Sequence, residues 1–241
     1  MLFFGASHRV LKPKPETPPS HPVHEWFKTH RFLFLLFTLM LLFVLHPLTQ
    51  AWVQFSVIMD IFISAVLLSA IYAVGESKRT LIIGLFTALP AFLSHWINWF
   101  LKIPLFHWVD VTAAAIFTAF ATFTIVGNLF KHKKVTSDLI LGAVCGYFLI
   151  GLMWAFVYAV IELIQPGSFT LGHSDELNME GLIYFSFVTL CTVGYGDITP
   201  LTEQARALAI LEAVMGQMYL AVNIAALVAI RISQNASRRS E

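Results

Sequence analysis

Long apolar runs dominate this chain, and each is about as long as a bilayer is thick. A helix needs roughly 20 apolar residues to cross the hydrocarbon core. Runs of that length extend from about Trp26 to His46, Ala51 to Val74, Thr80 to Phe100, Leu105 to Phe130, Asp138 to Ile164 and Glu203 to Ile232. They are separated by Pro47, by Glu76-Ser77-Lys78-Arg79, by Lys131-His132-Lys133-Lys134 and by Pro166-Gly167. Pro90 predicts a kink in the third run. A further helical stretch at about 179–190 is too short to cross. It reads as a re-entrant helix, whose irregular continuation is tolerable only if it lines a protein-enclosed space. Only 12% of the residues are charged, against about 25% in soluble domains. The fold class is all-α membrane protein: six transmembrane helices plus a re-entrant helix.

Charge placement sets the orientation. With the N-terminus inside, the cytoplasmic face receives Arg9, Lys12, Lys14, Lys28, Arg31, Lys78, Arg79, Lys131, Lys133, Lys134, Arg231, Arg238 and Arg239. Only Lys102 and Arg206 fall outside, and the reverse orientation would violate the positive-inside rule. The protein is therefore expected to be multi-pass in the cell membrane, in contact with lipid, with both termini cytoplasmic. Pro13, Pro15, Pro18, Pro19 and Pro22 exclude a long helix from the first segment. No cleavable signal peptide is evident at the start. A net charge of +1 gives no reason to expect nucleic acid as a partner. Cys145 and Cys191 both lie in apolar segments, so a disulfide framework is not expected. The nine histidines show no metal-ligand spacing.

The most informative short stretch is Thr192-Val193-Gly194-Tyr195-Gly196-Asp197. A dehydrated cation needs a cage of oxygens in place of its water. Backbone carbonyls can form one if successive peptide units turn their oxygens toward the same axis. An extended strand alternates them, so some residues must adopt positive φ, which glycine reaches without a Cβ clash. Gly194 and Gly196 alternate with bulkier residues as that geometry requires. Thr192 can add a hydroxyl oxygen. An apolar helix-like stretch precedes the motif and a long apolar segment follows it.

This stretch resembles the selectivity filter of the pore-loop potassium channel family, and the resemblance covers most of residues 135–232. It implies K+ as the permeant ion, bound at Thr192, Val193, Gly194 and Tyr195, with Gly196 completing the filter. Potassium filters are built from four such loops, so one loop per chain implies a homotetramer. Transport would be passive, with no covalent chemistry, no enzyme activity and no cofactor beyond K+. Tyr184 and Phe185 stand where many relatives carry two tryptophans and would form an aromatic cuff; Tyr195 would point away from the pore and brace the loop. Asp197 closes the filter. With Asp175, Glu176, Glu180 and Glu203 it would make a negative mouth, or these are ordinary solvated loop charges. Asn178 is placed to cap the re-entrant helix. Gly216 stands where relatives bend the inner helix; close helix packing is the other reading. By the same alignment Gln217, Leu220, Ala221, Ile224 and Val228 face a central cavity, with Ile224 and Val228 as a hydrophobic constriction. Glu212, inside a membrane helix, is a functional candidate by default. It is expected behind the filter, where it could hydrogen-bond to the loop, in neutral form. Glu162 is expected to reach the interface.

The front half has the four-helix plan of a voltage sensor without its arginines. Between Lys102 and Lys131 there is no Lys or Arg; the segment carries Asp110 and Thr112-Ala113-Ala114-Ala115 instead. The resemblance is therefore to prokaryotic six-transmembrane channels without a charged fourth helix, not gated by an ordinary voltage sensor. Asp60 and Asp110 could form a proton- or ion-sensing site with His95 or His107, or act as polar staples. The expected domains are a cytoplasmic tail (1–25), a four-helix domain (26–134), a pore domain (135–232) and a short cytoplasmic tail (233–241). With no regulatory domain expected after the sixth helix, such control would need a separate regulatory subunit. The alternatives are a potassium transporter subunit, a regulatory or sensor subunit with a vestigial pore, and a weakly selective cation channel.

Overall fold

A computed structural model describes residues 31–49, 69–72, 78–101, 104–129, 136–170 and 177–239. The named elements are all helices: α1 (Arg31–Thr49), α2 (Lys78–Leu101), α3 (Pro104–Leu129), α4 (Ser137–Ile164), α5 (Met179–Leu190) and α6 (Glu203–Arg239). Among the described residues, three stretches are long and apolar enough to cross a membrane: His107–Leu129, Ser137–Ile164 and Glu203–Gln234. Of the second expected crossing, only residues 69–72 are described, and they are helical. The expected N-terminal tail and Asp60 lie outside the described residues. α1 runs through Pro47 to Thr49, and α6 continues past residue 232 to Arg239.

α4 is the structural centre. It packs against α1, α3, α5 and α6, and 56% of its apolar stretch is buried. Its charged groups, Asp138 and Glu162, sit near its ends. Thr136 caps the start by accepting from the Leu139 N–H at 3.2 Å, which satisfies an amide that the helix cannot. The two larger apolar cores share this helix. One joins Phe32, Leu35 and Leu39 of α1 to Phe117, Ala121 and Ile125 of α3 and to Cys145, Leu149 and Leu152 of α4. The other joins Trp154 and Tyr158 of α4 to Phe169, Leu182, Phe185 and Leu190, and to Ala205 and Tyr219 of α6. Within it Tyr158, Phe169 and Phe185 meet edge to face, with centroids 5.1–5.3 Å apart, the arrangement that aromatic quadrupoles favour.

The end of α4 is tied to the chain that follows α5. Gly167, at φ 83°, turns the backbone after Pro166. The Glu162 carboxylate folds back and accepts from the Gly167 and Ser168 N–H groups at 2.6 and 2.9 Å. The next residues then pair with the segment beyond residue 197. Phe169 bridges antiparallel to Pro200, Leu201 N donates to Ser168 O at 2.7 Å, and Thr170 N donates to Thr199 O at 2.9 Å. Glu162 thus caps the turn that anchors the far end of the 192–197 loop. Glu162→Ala should lower stability by about 1–2 kcal/mol, the usual loss when a capping acceptor is removed. Glu162→Gln, which keeps one acceptor oxygen, should lose less. Thermal unfolding of the detergent-solubilised protein checks both; an unchanged midpoint for the alanine variant would show that the turn holds without the cap.

Candidate functional site

The site begins at the end of α5. Asn178 caps this helix by accepting from Gly181 N at 2.9 Å, and Cys191 closes it. The negative end of the helix dipole therefore sits where the loop begins. The loop's first amides bond back to the last helical turn: Thr192 N to Thr189 O at 2.9 Å, and Val193 N and Gly194 N to Val188 O at 2.9 and 3.3 Å. From there the backbone alternates in hand. Thr192, Gly194 and Gly196 take φ of 58°, 60° and 79°, while Val193 and Tyr195 do not take positive φ. Positive φ at a β-branched threonine is rare and strained, and such strain persists only where surrounding contacts impose it. Alternation of hand is what lets successive carbonyls leave the chain on one side. The side chains from Cys191 to Tyr195 are exposed in the protomer.

The aromatic pair on α5 divides between two environments, because neighbouring helical positions face different ways. Tyr184 reaches the loop. Its hydroxyl donates to Asp197 Oδ2 at 2.7 Å, and its ring lies parallel to that of Tyr195, 6.4 Å away between centroids. Phe185 is buried in the three-ring cluster with Tyr158 and Phe169. Asp197 also accepts from Ile198 N through Oδ1 at 3.0 Å, so both carboxylate oxygens are engaged. Among the other acidic groups expected at this end, Glu180 and Glu203 lie in the first turns of α5 and α6. Asp175 and Glu176 lie outside the described residues. Arg206 donates through Nε to Pro200 O at 3.2 Å.

Glu212 is fully buried. Its carboxyl group joins Tyr158 Oη of α4 and Ser186 Oγ of α5. It therefore reaches the helix that carries the loop, through Ser186, rather than the loop itself. One turn later Gly216 lies against the end of α5, where a Cβ would stand 2.5 Å from Leu190 O and 2.9 Å from Leu190 Cδ1. The same carbonyl accepts from Tyr147 Oη at 3.3 Å. Gln217, Leu220, Ala221, Ile224 and Val228 are all exposed on α6. Their spacing of three and four places them on one stripe, clear of the residues that bind the protomer together. Among the described residues no cluster of His, Cys, Asp and Glu could hold a metal ion. The oxygens that could meet a cation are the backbone carbonyls of the loop.

Several supporting residues were not singled out from the sequence: Tyr147, Tyr158, Thr170 and Ser186. The available signal was a hydroxyl within an apolar stretch. It marks a polar group that needs a partner without saying which.

The Gly216 contact generates a test. Alanine favours helix over glycine by up to about 1 kcal/mol, whereas overpacking typically costs about 1–3 kcal/mol. The added Cβ would meet backbone, which cannot swing aside, so Gly216→Ala should lower the thermal midpoint of the lipid-reconstituted protein. A raised midpoint would show that the approach of α6 to Leu190 is not tight.

Residues 144–232 match a protein family described as an ion channel. Over 45 residues, 19% of this chain, the sequence is 47% identical to two pore potassium channel c of Oryza sativa subsp. japonica. The matched stretch spans only 10% of the length of that curated relative. From within α4, through α5 and the loop, and along α6, the chain is similar to ion channels.

Proposed function

We propose that this protein is a potassium-selective channel that conducts K+ passively across the cell membrane. The observation that carries the reading is the backbone of Thr192–Gly196, alternating in hand at three positions directly beyond the negative end of α5. Its carbonyls and the Thr192 hydroxyl would replace the hydration shell of K+. Tyr184 and Asp197 hold the outer end of this filter, and Phe185 packs the helix beneath it. The similarity of residues 144–232 to an ion-channel family supports the same reading, as does the potassium channel named above.

One loop cannot encircle an ion, and four copies can. α6 supports that assembly, since only 11% of its apolar stretch is buried within the protomer. In a closed fourfold ring the stripe of Gln217, Leu220, Ala221, Ile224 and Val228 would line the cavity, and Ile224 and Val228 would form its narrow apolar part. Asp197, Glu180 and Glu203, repeated around the axis, would concentrate cations at the mouth. Residues 135–232 form the pore domain and 26–134 a four-helix domain in a six-crossing plan, with 1–25 and 233–241 cytoplasmic. The 233–239 part of the last segment continues α6. α3 carries no Lys or Arg, so no steep voltage dependence is expected.

The test is a reversal-potential measurement in planar bilayers, with K+ on one side and Na+ on the other, across a voltage series. Reversal near the K+ equilibrium potential is expected, with shallow dependence on voltage. Gly194→Ala places a Cβ at φ 60° and should move reversal toward zero or abolish current. Reversal near zero in the unmodified protein would reject K+ selectivity, and a steep opening curve would reject the sensorless reading.

A further inference from the structure

The buried junction of α4, α5 and α6 contains one hydrogen-bond partner too many for its apparent protons. Ser186 Oγ lies 2.7 Å from Gly151 O and also within hydrogen-bond reach of a Glu212 carboxyl oxygen. A serine hydroxyl carries a single proton, and the Gly151 carbonyl carries none. If Ser186 gave its proton to Glu212, two lone-pair oxygens would face each other across the Gly151 contact. If Ser186 donates to Gly151, Glu212 must donate to Ser186. Tyr158 supplies its own proton to the other Glu212 oxygen. Both partners of the carboxyl group are thus hydroxyls and neither is a cation. Glu212 is fully buried, and an ionised carboxylate there would be uncompensated.

From this arrangement we infer that Glu212 is an uncharged carboxylic acid whose proton is donated to Ser186, and that it is a positioning residue for the helix beneath the loop. The bond does not stand alone. Ser186 lies one turn before Leu190 on α5, and Glu212 one turn before Gly216 on α6. The bond at the first turn and the Gly216–Leu190 approach at the second lay the two helices side by side as far as the last residue of α5. That end launches the loop through Thr192 N and Val193 N. The effect on ion selectivity rests on the channel reading above; the state of the proton does not.

Difference infrared spectroscopy of the full-length protein in lipid vesicles, native minus Glu212→Gln, reads the proton directly. A carbonyl band of a protonated carboxyl group, shifted in D2O, is expected in the native protein and absent from the variant. A carboxylate signal in its place would overturn the inference, whether or not the protein conducts. The positioning role is read from the K+ to Na+ permeability ratio. Glu212→Met keeps length and removes every hydrogen bond, and should cut the ratio about tenfold by stranding the Ser186 and Tyr158 hydroxyls. Glutamine accepts through its oxygen and donates through its nitrogen, as the acid does, and should rescue the ratio to within about twofold of native by restoring those bonds. A glutamine variant as impaired as the methionine variant would overturn the positioning role, as would a methionine variant as selective as the native protein. If the native protein conducts no K+, the channel reading fails while the infrared result still decides the proton.

Discussion

A backbone that alternates in hand cannot also bond to itself as a helix or a ladder, and the 192–197 loop, with positive φ at Thr192, Gly194 and Gly196, lives under that constraint. Its polar groups have to be held from outside. The entry is held by the last turn of α5, where Val188 and Thr189 carbonyls accept the first three amides. The exit is held by Tyr184 on Asp197 and by the pairing of residues 168–170 with 199–201. α5 is in turn held by α4 and α6 through side chains that would otherwise be out of place in apolar helices. Loop, short helix and the two long helices are one mechanical unit. The strained φ at Thr192 persists because that unit over-determines it.

α4 belongs to both apolar cores, and this gives the front helices a physical connection to the loop. Phe187 of α5 meets Phe43 of α1 edge to face with centroids 4.7 Å apart, and Phe148 of α4 at 5.7 Å. Thr122 Oγ1 of α3 lies 3.2 Å from Leu149 O of α4. Cys145 Sγ meets Phe32 O of α1 at 3.3 Å. α1, α3 and Phe187 of α5 therefore pack into one apolar cluster with α4. Such contiguity gives the two halves a packed route for coupling.

Much of the helical layout was legible because it depends on local signals. The ends of α2, α3 and α4 fall within two residues of the expected limits, since hydropathy and the intervening charges set them. Asn178 caps α5, as its place before an apolar run suggested. Positive φ at Gly194 and Gly196 follows from glycine alternating with bulky residues, but positive φ at Thr192 has no such local signature. The stop expected at Pro47 is overrun by helix, because a proline signal biases an end without dictating it, and the end expected at residue 232 is overrun because the apolar run stops there while the polar residues that follow stay helical. What stayed hidden is tertiary. Nothing local says that Tyr184 turns to the loop while Phe185 turns to the core, or that Ser186 rather than the loop receives Glu212. Gly216 could be read as a bend or a close contact, and the close contact becomes visible only with the position of Leu190 O.

α6 is built the opposite way from a helix of a soluble protein. Its buried face carries Ala205, Glu212, Gly216, Tyr219 and Asn223, of which three are polar. Its exposed side carries Ile210, Leu211, Val214, Met218, Ile224 and Val228. In water this pattern would strand polar groups inside and large apolar groups outside. Surrounded by lipid, the apolar side needs no burial within the chain, because hydrocarbon is an equally good solvent for it. The polar residues then become the groups that must find partners, and they find them within the protomer. Tyr219 donates to Ala143 O at 2.6 Å and Asn223 to Tyr219 O at 2.9 Å, while Glu212 joins α4 and α5. Hydrogen bonds and close packing thus supply on this face the specificity that apolar burial supplies in water. They leave the other face of α6 free to meet lipid.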